Sequence, residues 1–305
     1  MTQVGAPKHD PIPIGEIAKP PFARTPDPAT LFARRTERFR TLAEGHDLQP
    51  YLQFLASLSD AQHRVQHGLL AVEPPTAEAC ARAREFAMPP LDRVRFTPDT
   101  AFDATFERLL PLADGIDMPA FARRAVDRVH AADSAGRAQM IKSMLADAVA
   151  VEALAEHVFV AAVAQVHFAR LAAQLDAGRL VPVGDGACPA CGGPPVASLV
   201  VGWHGAHGTR FCQCALCGTL WNYVRIKCTL CGSTKGISYQ EIEGGPGVVK
   251  AETCDTCRGY VKILHQHVDP SLDAVADDVA SLALDLLVRE NGYRRGAVNP
   301  FLLGY

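Results

Sequence analysis

Apolar positions recur at helical spacing through the first 180 residues and give way to short β-like runs beyond them. Asp27-Pro28 supplies an N-cap acid with proline at the first helical position. Leu31, Phe32, Phe39 and Leu42 then follow at helical intervals, while Arg34, Arg35, Arg38 and Arg40 fall mostly on the other face and read as a solvated surface. A second helix from Leu48 carries the stripe Tyr51, Leu52, Leu55, Leu58, Val65 and Leu69 and ends before Pro74-Pro75. Helical patterns resume near 99–113, 118–131 and 135–148. The longest runs from about Val149 to Leu175, with Val151, Leu154, Val158, Ala161, Ala162 and Val166 in register and Gly178 as its C-cap. Residues 28–180 are therefore expected to form an all-α helical bundle of six or seven helices.

Ahead of it, residues 1–27 are rich in proline, including Pro11, Pro13, Pro20 and Pro21. Proline removes a backbone donor, so this stretch is expected as an extended arm that propagates neither helix nor sheet ladder. Beyond Pro182–Gly186, read as a linker, come β-branched and aromatic runs at Val196–Val201, Leu220–Ile226, Ile237–Ile242 and Tyr260–Leu264. A last helix is expected over Leu272–Glu290, stopped by Gly292. Its apolar Val275, Val279, Leu282 and Leu286 alternate with Asp273, Asp277, Asp278 and Asp285. Such a helix must pack on the β region or back on the bundle.

Cysteines punctuate the β runs. Eight of the ten fall in four CxxC pairs: Cys188/Cys191, Cys214/Cys217, Cys228/Cys231 and Cys254/Cys257. Each of the first four recurs 40 residues later, so the region is an internal repeat. One CxxC turn presents two thiolates to an ion and a second completes a tetrahedral four-thiolate site, suited to zinc or a single iron. Equal intervals of 22 residues favour joining the first pair with the second and the third with the fourth. The 10 residues between Cys217 and Cys228 would also let the middle two pairs share an ion. Gly192, Gly218 and Gly232 follow the second cysteine of their pairs; Arg258 takes that place in the fourth. Each half reads as a knuckle, a hairpin, a second knuckle and a strand, the organisation of a zinc ribbon or rubredoxin-like module. The expected units are 187–226 and 227–268, followed by a C-terminal helix and tail over 271–305.

The remaining candidates are weaker. No basic start followed by an apolar core opens the chain, so disulfides are not expected. Four tandem CxxC motifs among strands do not fit a thioredoxin-like redox site. Cys212 stands two residues before Cys214, but its repeat equivalent is Glu252, which leaves it outside the ligand set. His63 and His67 have the i, i+4 spacing of a helical metal pair, with only Asp60 nearby as a third ligand, and read as packing or surface. Cys80 reads as a small core residue. His204, His207, His265 and His267 lie near the knuckles, where eight thiolates already fill two sites.

Composition narrows the function. The 305 residues carry a formal charge of −3 and are 48% hydrophobic. No run of 18 apolar residues occurs, so no membrane span is expected. A nucleic-acid-binding zinc ribbon is the rival reading. Residues 188–268 hold seven Lys and Arg against four Asp and Glu, a formal +3 that eight thiolates on two divalent ions turn to about −1. That is a poor phosphate footprint. No P-loop, GxGxxG, GxSxG or HExxH motif occurs, and fully thiolate-ligated sites leave no open position for substrate, so no catalytic residue is assigned.

Taken together, YLQFLASL, CPACG, RIKCTLCG, AETCDTC, ADDVASLALDLLV and GYRRGAVNPFLL resemble the formate dehydrogenase accessory protein family, FdhE, over essentially the whole chain. The resemblance implies a cytoplasmic protein required to make respiratory formate dehydrogenase active. The implied partner is the catalytic subunit of that enzyme, met before export. It also implies metal at Cys188, Cys191, Cys214, Cys217, Cys228, Cys231, Cys254 and Cys257, with iron in rubredoxin-like sites. The same four-thiolate sets also suit zinc.

Overall fold

The computed structural model describes residues 20–302, so most of the expected arm and the last three residues of the tail lie outside the described residues. Within the described part of the arm, Ala23–Arg24 (β1) does join a sheet ladder, pairing antiparallel with Leu220–Asn222 (β4). This corrects the expectation for that segment. The prolines at 20, 21 and 26 flank four residues that carry backbone amides, and an edge strand needs donors on one side only. Arg24 also stacks its guanidinium 4.3 Å from the Trp203 ring centre.

Seven helices follow among the described residues: Pro28–Ala43 (α1), Gln49–Val65 (α2), Ala77–Glu85 (α3), Thr100–Asp114 (α4), Ala120–Ala131 (α5), Ser134–Leu145 (α6) and Leu154–Ala172 (α7). Their starts are set by side-chain caps. Asp27, Thr76, Asp99 and Asp133 each accept a hydrogen bond from a backbone N–H of the first turn. α7 is the axis, buried along nearly its whole length, with α1, α2, α4, α5 and α6 packed against it. The segment Val151–Ala172 is long and apolar enough to cross a membrane by length and composition. Here its side chains fill the bundle core against Phe32, Leu55, Phe102 and Phe106.

Two expectations fail in the bundle. α3 buries no residue, so Cys80 is half-buried at the surface rather than in the core. The α1 arginines are not all solvated: Arg35 is buried beside Asp273, and Arg38 grips Asp277 through Nη2 at 2.6 Å and Nε at 2.9 Å. A one-helix pattern cannot show this, because the acids come from the far end of the chain.

His167 sits on α7 in a ring cage, its centroid 5.3 to 6.0 Å from those of Phe96, Phe102 and Phe168. Neither ring nitrogen has a protein partner among the described residues. Burial pushes its pKa down to about 4, opposed by an upward pull from Asp99 and reinforced by the positive charge of Arg170. In the unfolded chain this histidine titrates near 6.5, so the unfolded state binds the extra proton between those values. Stability is therefore full above about 6.5 and is lost as pH falls towards 4, by on the order of 3 kcal/mol. Denaturant unfolding at pH 7 and pH 4.5 is expected to show this loss. His167→Leu should remove most of it.

The second half of the chain builds one sheet. Pro195–Val200 (β2) and Arg210–Cys214 (β3) form a hairpin that β4 extends; Ile237–Gln240 (β5) and Val249–Cys254 (β6) form a second, extended by Gly259–Leu264 (β7). β7 then pairs parallel with β2, giving the order β1-β4-β3-β2-β7-β6-β5. The two halves are thus copies laid side by side. β2, β3 and β7 are buried at every residue, which is why their sequences show no clean alternation.

The closing helix is broken into Ala276–Ala280 (α8) and Leu282–Glu290 (α9), where one helix was expected. Lys262 on β7 meets the chain at the break: its Nζ donates to the Asp278 and Ser281 carbonyls, and the Ser281 carbonyl also accepts from the Leu284 amide as α9 begins. α8 packs on α1 while α9 lies on β6, so the segment contacts both the bundle and the sheet. The tail returns as Arg294–Arg295 (β8), parallel to β7, and the Tyr51 hydroxyl donates to the Phe301 carbonyl at 2.6 Å.

Candidate metal centres

All four knuckles have the same backbone. The N–H of the leading cysteine reaches the carbonyl of the residue five further on: Cys188 to Gly193, Cys214 to Thr219, Cys228 to Ser233, and Cys254 through its ladder pairing with Gly259. Gly192, Gly218 and Gly232 adopt φ of 75°, 74° and 71°, and their amides donate to the leading cysteine's carbonyl. Arg258 adopts the same left-handed conformation, at φ 54°. Its side chain offsets part of the strain by lying 4.0 Å over the Tyr293 ring and donating to the Asn291 carbonyl.

These turns gather the sulfurs into two groups. Cys188, Cys191, Cys214 and Cys217 form one, and Cys228, Cys231, Cys254 and Cys257 the other, with all sulfurs of a group within 4.8 Å of one another. The adopted grouping is sequential, not the alternative in which the middle pairs share an ion. Representative separations are 3.6 Å for Cys188–Cys217, 3.4 Å for Cys191–Cys214, 3.9 Å for Cys228–Cys257 and 3.7 Å for Cys231–Cys254. A disulfide needs about 2.0 Å. A tetrahedral ion with sulfur bonds of about 2.3 Å places its ligands about 3.8 Å apart. Each group could therefore hold one metal ion.

The electrostatics agree with a cation at each place. Burial pushes the Cys188 thiol far up, and its three neighbours add to that. Four buried thiolates are tolerable only with positive charge among them. At the second group desolvation raises Cys228 to about 12. Desolvation also opposes ionisation of Cys254, but the Cys257 and Thr256 amides and Cys231 bring it down to about 7. The Leu216 and Leu230 amides point at the Cys214 and Cys228 sulfurs, each at 3.4 Å.

The surroundings of the two groups differ. The first lies under the bundle: the Leu91 amide donates to the Ala190 carbonyl, the Arg93 amide to the Cys191 carbonyl, and Gln165 Nε2 of α7 to the Ala215 carbonyl at 2.8 Å. Arg93, paired with Asp147, lies within electrostatic reach of Cys191 and Cys214. None of these residues was singled out in the sequence. Gln165, a polar residue inside an apolar helix, was the one local signal of a buried polar contact. Gly186 joins the two groups, since a Cβ there would stand 2.1 Å from the Thr229 carbonyl of the third knuckle.

Cys212 belongs to neither group. It is buried, 3.6 Å from the Ser198 hydroxyl, beside the ion pair of Arg210 and Glu252 at 2.8 Å. Cys212 and its repeat counterpart Glu252 thus lie around one buried arginine. His63 and His67 stack edge to face at 5.8 Å, while Asp60 pairs with Arg40 and Arg64. His207, His265 and His267 form a chain of ring contacts at 5.3 and 5.9 Å. Among the described residues only the two cysteine groups bring three or more potential ligands together.

Comparison with known proteins covers nearly the whole chain. Family models described as FdhE N-terminal, central domain and C-terminal domain match residues 20–185, 187–225 and 226–302. An FdhE homolog of Rhizobium meliloti is 48% identical over 97% of both chains, and one of Pseudomonas aeruginosa is 35% identical over 93% of both. The crystal structure of the FdhE protein from Pseudomonas aeruginosa superposes with a TM-score of 0.82 at 33% identity, covering 93% of this chain and 99% of that one. With three family models in series, relatives that align over 93 to 97% of its length and the same fold, the chain belongs to the FdhE family.

Proposed function

We propose that the chain is a cytoplasmic accessory protein that binds the catalytic subunit of respiratory formate dehydrogenase and is needed for that enzyme to become active. The observation that carries this reading is the pair of closed tetracysteine groups set in one sheet and flanked by helices, in a chain of this family. In this reading Cys188, Cys191, Cys214 and Cys217 hold one ion, and Cys228, Cys231, Cys254 and Cys257 a second. Either zinc or iron suits such ligands, and the family resemblance favours iron; an iron ion would supply one-electron chemistry, zinc a scaffold. Four sulfurs around each ion leave no position for substrate, so the chain acts by binding rather than by catalysis. The units in this reading are a helical domain over 28–180, modules over 187–226 and 227–268, and a closing segment over 271–305.

Affinity capture of the tagged chain from formate-grown cells tests this. A catalytic subunit of formate dehydrogenase is the expected co-purifying protein. Recovery of nucleic acid or polymerase without that subunit would instead support the zinc-ribbon alternative and overturn the accessory reading.

A further inference from the structure

We propose that the two centres divide their labour: the second exchanges its metal with solution while the chain stays folded, and the first holds its metal until the surrounding core opens. The inference rests on the reading above that both groups bind metal.

Access is the first argument. Cys188, Cys191 and Cys217 are fully buried and Cys214 is 2% exposed, whereas Cys231 is exposed and Cys257 half-buried. Both knuckles of the first centre are roofed by the helical region. Pro89 packs 3.1 Å from where a Gly192 side chain would begin, Leu31 lies 3.0 Å from the same point on Gly218, and the Leu91, Arg93 and Gln165 hydrogen bonds tie both knuckles to the helical region. At the second centre the CDTC turn faces outward, with Asp255 and Arg258 exposed.

Cooperativity is the second argument. The first centre's cysteines belong to the same continuous apolar core as Phe32, Leu55, Phe159 and Val163 of the bundle. Uncovering its metal therefore requires opening much of the protein. The second centre borders a separate small core of Ala251, Tyr260, Leu284 and Val288. That module has supports independent of a metal: the ladder of β7 with β2, and the buried charges of Lys262, Asp278, Asp285 and Arg295 that tie β7 to α8, α9 and β8. Loss of the ion leaves those supports in place.

The chemistry is ligand exchange without redox change. An incoming thiol forms a sulfur–metal bond as the bond to Cys231 breaks, and the proton released by that thiol passes to the Cys231 sulfur. Repetition at the other three cysteines transfers the ion to the acceptor. The acceptor class is a thiol or a nitrogen chelator able to reach a surface sulfur.

The experiment uses the full-length chain loaded with zinc and a chromogenic pyridylazo chelator. Total metal is read after denaturation and release kinetics under native conditions, with circular dichroism followed in parallel. Two equivalents in total are expected, one released more than about tenfold faster than the other without loss of helical signal. Cys231→Ser should remove the fast equivalent and keep the slow one. Release of both at one rate, or a fast phase that survives Cys231→Ser, would overturn the division of labour. Metal content that is the same in wild type, Cys231→Ser and Cys228→Ser would instead overturn the ligand assignment on which the inference rests.

Discussion

Cys188→Ser is expected to cost the chain one metal and most of its folding stability. A serine hydroxyl does not ionise at neutral pH and cannot replace a thiolate ligand. Structural thiolate sites contribute roughly 10–16 kcal/mol of apparent binding free energy, against net domain stabilities of about 5–15 kcal/mol. Cys188 is fully buried and its centre shares the bundle's core, so no other part of the structure isolates the damage. Metal analysis together with a thermal melt checks this: one equivalent fewer and a greatly lowered midpoint, or no soluble protein at 37 °C. Cys231→Ser, at the exposed centre, should lose a metal with a much smaller fall in midpoint. Full metal content in Cys188→Ser would show that its sulfur is not a ligand.

Asp278→Ala should have the next largest effect. Lys262 and Asp278 are both fully shielded from solvent, and Arg295 is 9% exposed. Lys262 Nζ lies 2.5 Å from Asp285 and 3.3 Å from Asp278, and Arg295 pairs with both carboxylates. The Tyr260 hydroxyl donates to Asp285 at 2.7 Å, and the Asn299 amide to Asp278 at 2.8 Å. Two cations and two anions balance. Removing Asp278 leaves two buried cations facing one carboxylate, a loss of about 3–5 kcal/mol. Removing a cation as well, in Lys262→Met with Asp278→Asn, restores the balance through Arg295 and Asp285 and should recover much of the loss. Urea unfolding of the single and double variants separates the outcomes. A single variant within about 0.5 kcal/mol of wild type would mean that the network adds nothing.

The fold was legible wherever the signal was local. Asp27-Pro28 marks the start of α1 because capping depends on neighbouring residues, and the Asp27 carboxylate accepts from Ala29 as such a start requires. The four CxxC turns, with 22-residue spans between partners, pointed to the two sulfur groups that form. Arg35 and Arg38 were misread because their partners Asp273 and Asp277 lie more than 230 residues away. Helical spacing does set Arg35 on the apolar stripe, three residues after Phe32 and four before Phe39, but nothing within α1 shows the acids that neutralise it and Arg38. The break at Ser281 was equally hidden, since residues 272–290 hold no glycine or proline and the lysine that meets the carbonyls there comes from a strand.

Local chemistry and periodicity in the chain were enough for the helical first half, the repeated knuckle–hairpin–knuckle–strand pattern and the four cysteine turns, because a turn, a cap or a helical stripe involves residues a few positions apart; the equal spans favoured sequential grouping of those turns but left the middle two free to share an ion. Tertiary packing alone decided that the two modules merge through the β2–β7 pairing, that acids of the closing segment neutralise α1, and that one cysteine group is sealed under the bundle while its repeat lies open. Two motifs with the same cysteine spacing acquire different environments because burial depends on what the rest of the chain places over them.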